Sequence, residues 1–563
     1  MSSAFHAGAM ASPASRDDPI AAETRAGRGR CAVALRPLPA GATVVLEDPW
    51  AVVLLEKERS RRCDYSLQVP DSGKLLRCSG TGLSYLNRDS QRTAHSEYYK
   101  EEHRAARVRA EEDEQEAGSQ GSRRLPPPAH LAARVLWRTV KQQKAPWSEL
   151  VSHWELLSEA RQLELVAEAK IVSREVFRGL ESQDLFSDDP RFLETVTVAR
   201  LLATLAVNAM TVADEEQRGI GLGLYPRGAL LNHGEEPNCT QSFVGRRLVI
   251  RTIRPVAAAE ELTIPYSELA EASCVRRAWL RDQYHFDPAP DNNLPASTAG
   301  RDLTLAEVLE RRADGSWHPA SSTAAWNAHH GVLVGWPGGP HAGSTALDLA
   351  TSVHERWIEA SKATKSGDAD AGMNLLLAAW KACSTERCRL GDGHALRFAI
   401  AREAMDVAID LEKWDDALGW ARCVCAISRL LYAPEWPVPA LGFAKLAKLE
   451  LYHGNFQESV DAGEAALRLL AMAFAEDMAI LSELRHMIAE ARAEADAELR
   501  LGGRGRPRRA DPARPVLLGP EPPPDHAAVQ MCSSGRALPP AVPPAAGCAI
   551  EAAQGQNALR SVP

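Results

Sequence analysis

The hydrophobic pattern changes character along the chain, and each change predicts a different kind of structure. Between residues 31 and 46 short β-branched runs, Cys31-Ala32-Val33-Ala34-Leu35 and Thr43-Val44-Val45-Leu46, are separated by Pro and Gly, as in strands of a small sheet. From His130 to Leu180 the apolar positions Leu131, Val135, Leu136, Val140, Leu150, Trp154, Leu157, Leu163, Leu165, Val166 and Ile171 recur at helical spacing, and residues 193–212 continue it. Residues 345–500 read as almost wholly helical. Within them Leu411-Glu412-Lys413-Trp414-x-x-Ala417 and Tyr452-His453-Gly454-Asn455-Phe456-x-x-Ser459 repeat a helix-turn-helix hinge. Trp414 and Phe456 stand 42 positions apart, longer than the roughly 34 of a standard tetratricopeptide repeat.

Between these blocks the periodicity lapses. The charge-rich stretch 101–124 ends in Leu125-Pro126-Pro127-Pro128, which predicts an exposed helix tail and a linker. Residues 287–344, rich in Pro, Gly, Asn and Ala, read as a linker or irregular cover with one short helix at 303–312. From 501 to 563 Pro, Gly, Ala and Arg dominate without periodicity, which predicts a disordered tail.

At 563 residues the chain exceeds one hydrophobic core and implies two to four domains. A composition of 45% hydrophobic and 25% charged residues is that of soluble globular proteins. No apolar run approaches the roughly 18 residues of a membrane span, and residues 1–20 lack the apolar core of a secretory signal. Eleven cysteines at irregular spacing form no C-x-x-C pair, so neither a disulfide framework nor a zinc ribbon is supported and a reducing, cytoplasmic or nuclear compartment fits. The net charge of -9 argues against direct nucleic-acid binding and suits a basic peptide substrate.

Two polar stretches interrupt the middle of the chain, Asn232-His233-Gly234-Glu235-Glu236-Pro237-Asn238 and Glu260-Glu261-Leu262-Thr263-Ile264-Pro265-Tyr266. Either alone reads as a turn or a helix cap. In series they resemble N-H-x-x-x-P-N and E-E-L-x-x-x-Y, the signature motifs of SET-domain protein lysine methyltransferases. Gly221-Leu222-Gly223-Leu224-Tyr225-Pro226 before them and Arg276, Arg277, Leu280, Gln283, Tyr284 and Phe286 after them resemble the SET and MYND domain (SMYD) branch.

That resemblance implies an α+β fold, a SET-domain β-fold split by a helical insert and followed by a C-terminal α-helical tetratricopeptide-like array. It places a SET domain at 21–286, with a MYND-like segment at 60–104 and the insert at 130–200, then a linker at 287–344, the array at 345–500 and the tail beyond. It further implies transfer of a methyl group from S-adenosylmethionine to a lysine of a histone or non-histone protein, with the array open to partner proteins. Tyr266 and Tyr284 match the catalytic tyrosines. Gly27, Arg28, Gly29, Asn208, Asn232, His233, Tyr266 and Phe286 match the donor-binding positions, although the two glycines also suit a tight turn.

Departures from the family are concentrated at its metal sites. Of the eight MYND ligands only Cys63 and Cys78 remain, the others standing as Ser66, Thr81, Leu86, Ser90, Tyr98 and Glu102. The segment therefore reads as a relic held by helix packing. Where the family closes its lysine channel with one more zinc, this chain has Glu235, Pro288, Pro290 and Asn293, so no metal is expected. His153 stands where the family has a donor-contacting Asn. The rival reading is a catalytically idle SET scaffold that binds partners through its helical array.

Overall fold

The computed structural model describes residues 18–70, 73–115, 125–181, 193–271, 273–288, parts of 301–335, 345–432, 434–474 and 478–500. The early β-branched runs are strands. Ile20–Arg25 and Gly29–Ala34 form an antiparallel hairpin. Thr43–Glu47 is the edge of a three-stranded sheet with Arg247–Thr252 at its centre and Cys239–Val244 beyond. Ala51–Leu54 and Ala209–Ala213 flank Gly219–Leu224 in a second sheet. Strand periodicity assigns its two faces: Val52 and Leu54 enter the core between the sheets, while Ala51 and Val53 meet the helical insert.

The insert comprises helices Pro127–Gln142, Glu159–Gly179 and Thr195–Asn208. The proline run expected to be a linker instead opens the first of these, because Pro127 has no N–H to leave unpaired in the first turn and its φ is already helical. Trp137 locks the first two helices, its indole N–H donating to the Val176 carbonyl at 3.1 Å.

The segment expected to be held by helix packing alone is held by buried charge. Its short strands Leu76–Arg77 and Ser84–Tyr85 and its helix Arg88–Ala94 pack around Cys63, Leu83, Tyr85, Ala94 and Tyr98. Beneath them Arg134, from the insert, is wholly buried and bonds Asp64 at 2.6 Å, Glu102 at 2.8 Å and the Val52 carbonyl at 2.7 Å. Its guanidinium lies 3.8 Å over the Tyr98 ring, whose hydroxyl donates to Asp64. His130 bonds Glu102 through Nε2, while its Nδ1 faces Arg59 at 3.2 Å and so carries no proton. Neither cysteine left from the family pattern is paired: Cys63 is buried among apolar side chains and Cys78 meets the Tyr99 hydroxyl at 2.8 Å.

Within 287–344 the expected short helix at 303–312 is found only at its start, where Thr304 and Leu305 are helical, and its second half is strand Val308–Arg311, which pairs with Trp317–Pro319 on one side and Cys388–Leu390 on the other. A partner about eighty residues away, lying between two helices of the array, is invisible to local pattern. The tail at 501–563, with Pro290 and Asn293, lies outside the described residues.

The C-terminal helices are Thr345–Lys365, Ala369–Ala382, Ala395–Asp410, Trp414–Leu431, Ala440–Tyr452, Phe456–Ala473 and Ala479–Arg500. Three of their turns share one geometry, a residue with positive φ immediately before the N-cap of the next helix: Gly367 (90°), Glu412 (55°) and Gly454 (76°). Among the described residues, the two hinges seen in sequence are therefore two of three. The array docks on the hairpin of the first sheet, where Ser242 Oγ donates to the Ala473 carbonyl at 3.0 Å and Arg251 to those of Ala471 and Phe474. Among the described residues no helix is long and apolar enough to cross a membrane.

Arg134→Met would leave Asp64 and Glu102 buried without their cation, at a cost of about 3–5 kcal/mol measured by urea unfolding. Acid should act in the same direction. Burial holds the His130 pKa below its ordinary 6.5, so below that pH the unfolded chain takes up a proton that the folded one refuses. Glu102 overcomes burial through Arg134 and His130 and is held well below 4.5, so it adds the same sign below about pH 4.5. Melting temperature should therefore fall as pH drops from 6.5 to 4, and less so in Arg134→Met.

Candidate active site

The two polar motifs meet as a parallel pair of strands, Asn232 opposite Thr263 and His233 opposite Ile264. Parallel pairing needs a long crossover, and residues 234–262, carrying the hairpin of the first sheet, supply it. Gly234 makes the approach possible, since a Cβ there would stand 2.6 Å from Thr263 Oγ1. Asn238, 2% exposed, then fixes the second motif to the first. Its amide donates to Glu260 Oε1 at 3.0 Å and the Glu261 carbonyl at 2.8 Å, and its oxygen accepts from Thr263 N–H at 2.9 Å.

Above this pair sits the tip of the first hairpin. Gly27 (φ 72°) and Gly29 (φ 68°) occupy the left-handed region that their lack of a Cβ allows, and a Cβ on either would meet nothing within 4 Å. The tip is tied down by Asn232, whose Nδ2 donates to the carbonyls of Arg28 (3.1 Å) and Arg30 (3.3 Å) and to Glu261 Oε1 (3.0 Å). Arg28 forks onto both oxygens of Glu261 and donates to the His233 carbonyl at 3.1 Å. Gly27, Arg28, Gly29, Asn232 and His233 thus converge, with the exposed Arg28 side chain engaged by Glu261 and the His233 carbonyl.

The remaining wall is aromatic. The His233 ring lies 5.7 Å from Tyr266 and 6.1 Å from Phe286, and Tyr266 lies 4.8 Å from Tyr284. Helix Ser273–Tyr284 carries Tyr284, backed by Trp279 at 5.4 Å. His233 accepts the Tyr266 backbone N–H at Nδ1 (3.1 Å), so its proton is on Nε2, and burial pushes its pKa down and keeps the ring neutral. The Tyr266 hydroxyl donates to the Leu231 carbonyl at 2.8 Å. Burial and the neighbouring Tyr284 push this phenol far above its ordinary range, so it stays protonated.

Asn208 does not touch these groups directly. It ends the third insert helix and donates to the carbonyls of Thr204 (2.8 Å) and Val151 (2.7 Å). Two residues past Val151, His153 packs its ring 5.6 Å from that of His285, which lies between Tyr284 and Phe286. Both histidines have positive φ, 50° and 59°, a conformation that costs a residue with a Cβ about 1–2 kcal/mol. Strained backbone of this kind collects at functional sites. No motif marks His285, and His153 stood out only as a departure.

Sequence reasoning also missed the charges behind the aromatic wall. Glu235 was read only as a lost metal ligand, yet it forms a buried ion pair with Arg276, and Asp287 accepts both arms of Arg277 at 2.7 and 2.9 Å. Among the described residues no three His, Cys, Asp or Glu side chains gather as a metal-binding group.

A family model described as SET domain matches residues 29–267. Histone-lysine N-methyltransferase SMYD3 of Mus musculus is 24% identical over 485 residues, covering 83% of this chain and 96% of its own. Histone-lysine N-methyltransferase ASHR1 of Arabidopsis thaliana is 23% identical over 481 residues, covering 83% and 94%. A solved structure described as the SET domain of LSMT bound to lysine and AdoHcy aligns with 87% of this chain and 89% of that one, at 13% identity and a TM-score of 0.27.

Asn232→Ala removes two bonds to the hairpin tip and one to Glu261 and should lower stability to urea by about 1–3 kcal/mol. Hydrogen exchange should quicken at residues 25–30 and leave the array helices unchanged.

Proposed function

For a chain that is a SMYD-family SET protein, we propose the activity of a protein lysine N-methyltransferase that uses S-adenosylmethionine and acts on a lysine of a histone or non-histone protein. The observation that carries this reading is the aromatic cluster of Tyr266, Tyr284 and Phe286 against a neutral His233, whose carbonyl is bonded by Arg28 of the hairpin tip.

The chain's groups fit the donor chemically. Among the described residues Oδ1 of Asn208 and of Asn232 accepts no hydrogen bond, since both amides are engaged through Nδ2. They are therefore free to accept from a ligand ammonium. The backbone of Gly27, Arg28 and Gly29 can be approached closely, His233 offers its carbonyl strand, and Phe286 offers a ring face to a nucleobase. When bound, S-adenosylmethionine supplies an electrophilic methyl group on a sulfonium.

What remains is to present a neutral amine. A free lysine ammonium loses its proton with a pKa of about 10.4, and burial against aromatic walls favours the uncharged form. Tyr266 cannot act as the base, because its own proton is held by the Leu231 carbonyl. Its oxygen instead accepts from the amine and orients the nitrogen lone pair along the line of attack. Tyr284, its ring tilted against that of Tyr266 at 4.8 Å, would flank the alkyl chain of the lysine.

The zinc that the family uses to close its channel does not fit here. Glu235 is committed to Arg276 and Pro288 has no ligand atom. We propose that transfer needs no zinc, so chelation with a strong zinc chelator should leave the rate unchanged, and a loss restored by added zinc would refute it.

Tyr266→Phe keeps the ring and deletes the orienting hydroxyl. Removing one preorganised group of this kind typically slows turnover by about a hundredfold. A tritiated-methyl transfer assay on cell lysate should show that loss, with donor affinity by calorimetry reduced far less. Equal rates in variant and wild type would remove Tyr266 from the mechanism. A wild type that binds no donor would replace the enzyme reading with the scaffold.

A further inference from the structure

Helix Ser273–Tyr284 carries the Tyr284 ring that packs at 4.8 Å on Tyr266, so its position relative to the His233 strand fixes how the aromatic wall is assembled. Two buried atoms show how that position is held. His233 Nε2 and Glu235 Oε1 lie 3.7 Å apart, and neither has a hydrogen-bond partner. Because Nδ1 accepts from Tyr266, the Nε2 proton faces this carboxylate. The second oxygen of Glu235 bonds Arg276, whose side chain is wholly buried and also donates to the carbonyls of Leu269 and Glu271. One line of contacts therefore runs from the Tyr266 backbone through His233 and Glu235 to the helix that carries Tyr284. A second clamp, from Arg277 and Arg281 to Asp287, pins the chain next to Phe286.

Resting on the methyltransferase reading above, we infer that Glu235 is a positioning residue which, with Arg276, ties the His233 strand to the Tyr284 helix and closes the site by ion pairing where its relatives' fold would use zinc. Buried ion pairs contribute little net stability against apolar replacements, but breaking one leaves a stranded charge, which makes them effective at fixing register. Burial alone would raise the Glu235 pKa, and Arg276 outweighs it and holds the carboxyl well below its usual range. The ion pair with Arg276 thus favours the charged carboxylate. Its geometry leaves no place for a metal, since the carboxylate oxygens already face Arg276 and His233.

The test is hydrogen exchange of the full-length protein, read over residues 273–287, after removal of metal and again with equimolar zinc chloride. The wild type should be protected without metal and change less than twofold on adding zinc. In Glu235→Gln the segment should exchange about tenfold faster while residues 395–473 stay as they were, and Glu235→Asp should recover much of the protection. Should Glu235→Gln fold poorly, Arg276→Lys, which keeps the charge but loses the guanidinium fork, serves in its place and should quicken exchange over the same segment. Slowing of wild-type exchange about tenfold by zinc would overturn the inference, and so would unchanged exchange in the variants. Calorimetry with S-adenosylmethionine runs in parallel. Weaker binding in Glu235→Gln than in Glu235→Asp is expected. A wild type that binds no donor would sink the methyltransferase reading while the exchange result still decides the brace.

Discussion

The parallel pairing of Asn232–His233 with Thr263–Ile264 is the constraint on which the site depends. Two residues per strand give few hydrogen bonds, so the pairing is stabilised from outside itself. Asn238 spends its whole amide on it, Gly234 lets the backbones approach, and Asn232 carries the tie on to the first hairpin. Three stretches more than two hundred residues apart at their extremes thereby share one small volume. The crossover that parallel pairing demands is also the hairpin on which the helical array docks, so the site and the inter-domain contact are made by one piece of chain.

A second theme is charge in places where the SMYD resemblance implies metal. In the MYND-like segment Arg134 gathers Asp64, Glu102 and Tyr98, and behind the chamber Arg276 gathers Glu235. A metal ion and a buried guanidinium have the same structural virtue, a fixed positive centre that draws several oxygens into one arrangement. They differ in that the arginine is covalently part of the fold and carries a long stem that must be packed. Both arginines come from helices outside the segment they organise, so each ties two elements together.

The chamber combines rigidity with local strain. His233 is fixed at Nδ1, Tyr266 is fixed through its hydroxyl, and the pair His153 and His285 hold left-handed backbone at the edge. Such strain persists only where the surroundings over-determine the backbone, and here the insert and the segment after Tyr284 meet at that contact.

The sequence by itself determined the kinds of element and pointed to residues that the fold brings together at the candidate site. Strand and helix periodicity follow from which residues an element must bury, and the two motifs with their tyrosines are local strings whose order survives in the chain. Asn232, His233, Tyr266, Tyr284 and Phe286 were legible for that reason, and so were the two aromatic hinges of the array. The third hinge, at Gly367, lacks the aromatic and shares only backbone geometry with the others. Strand Val308–Arg311 depended on a partner near residue 389, and Pro127 became a helix start only because the insert needed one there. The same limit applied to Glu235, Arg276, Asp64 and Arg134. A charged residue reads as surface along the chain, since solvation favours it there, and only tertiary structure shows the opposite charge that lets it be buried.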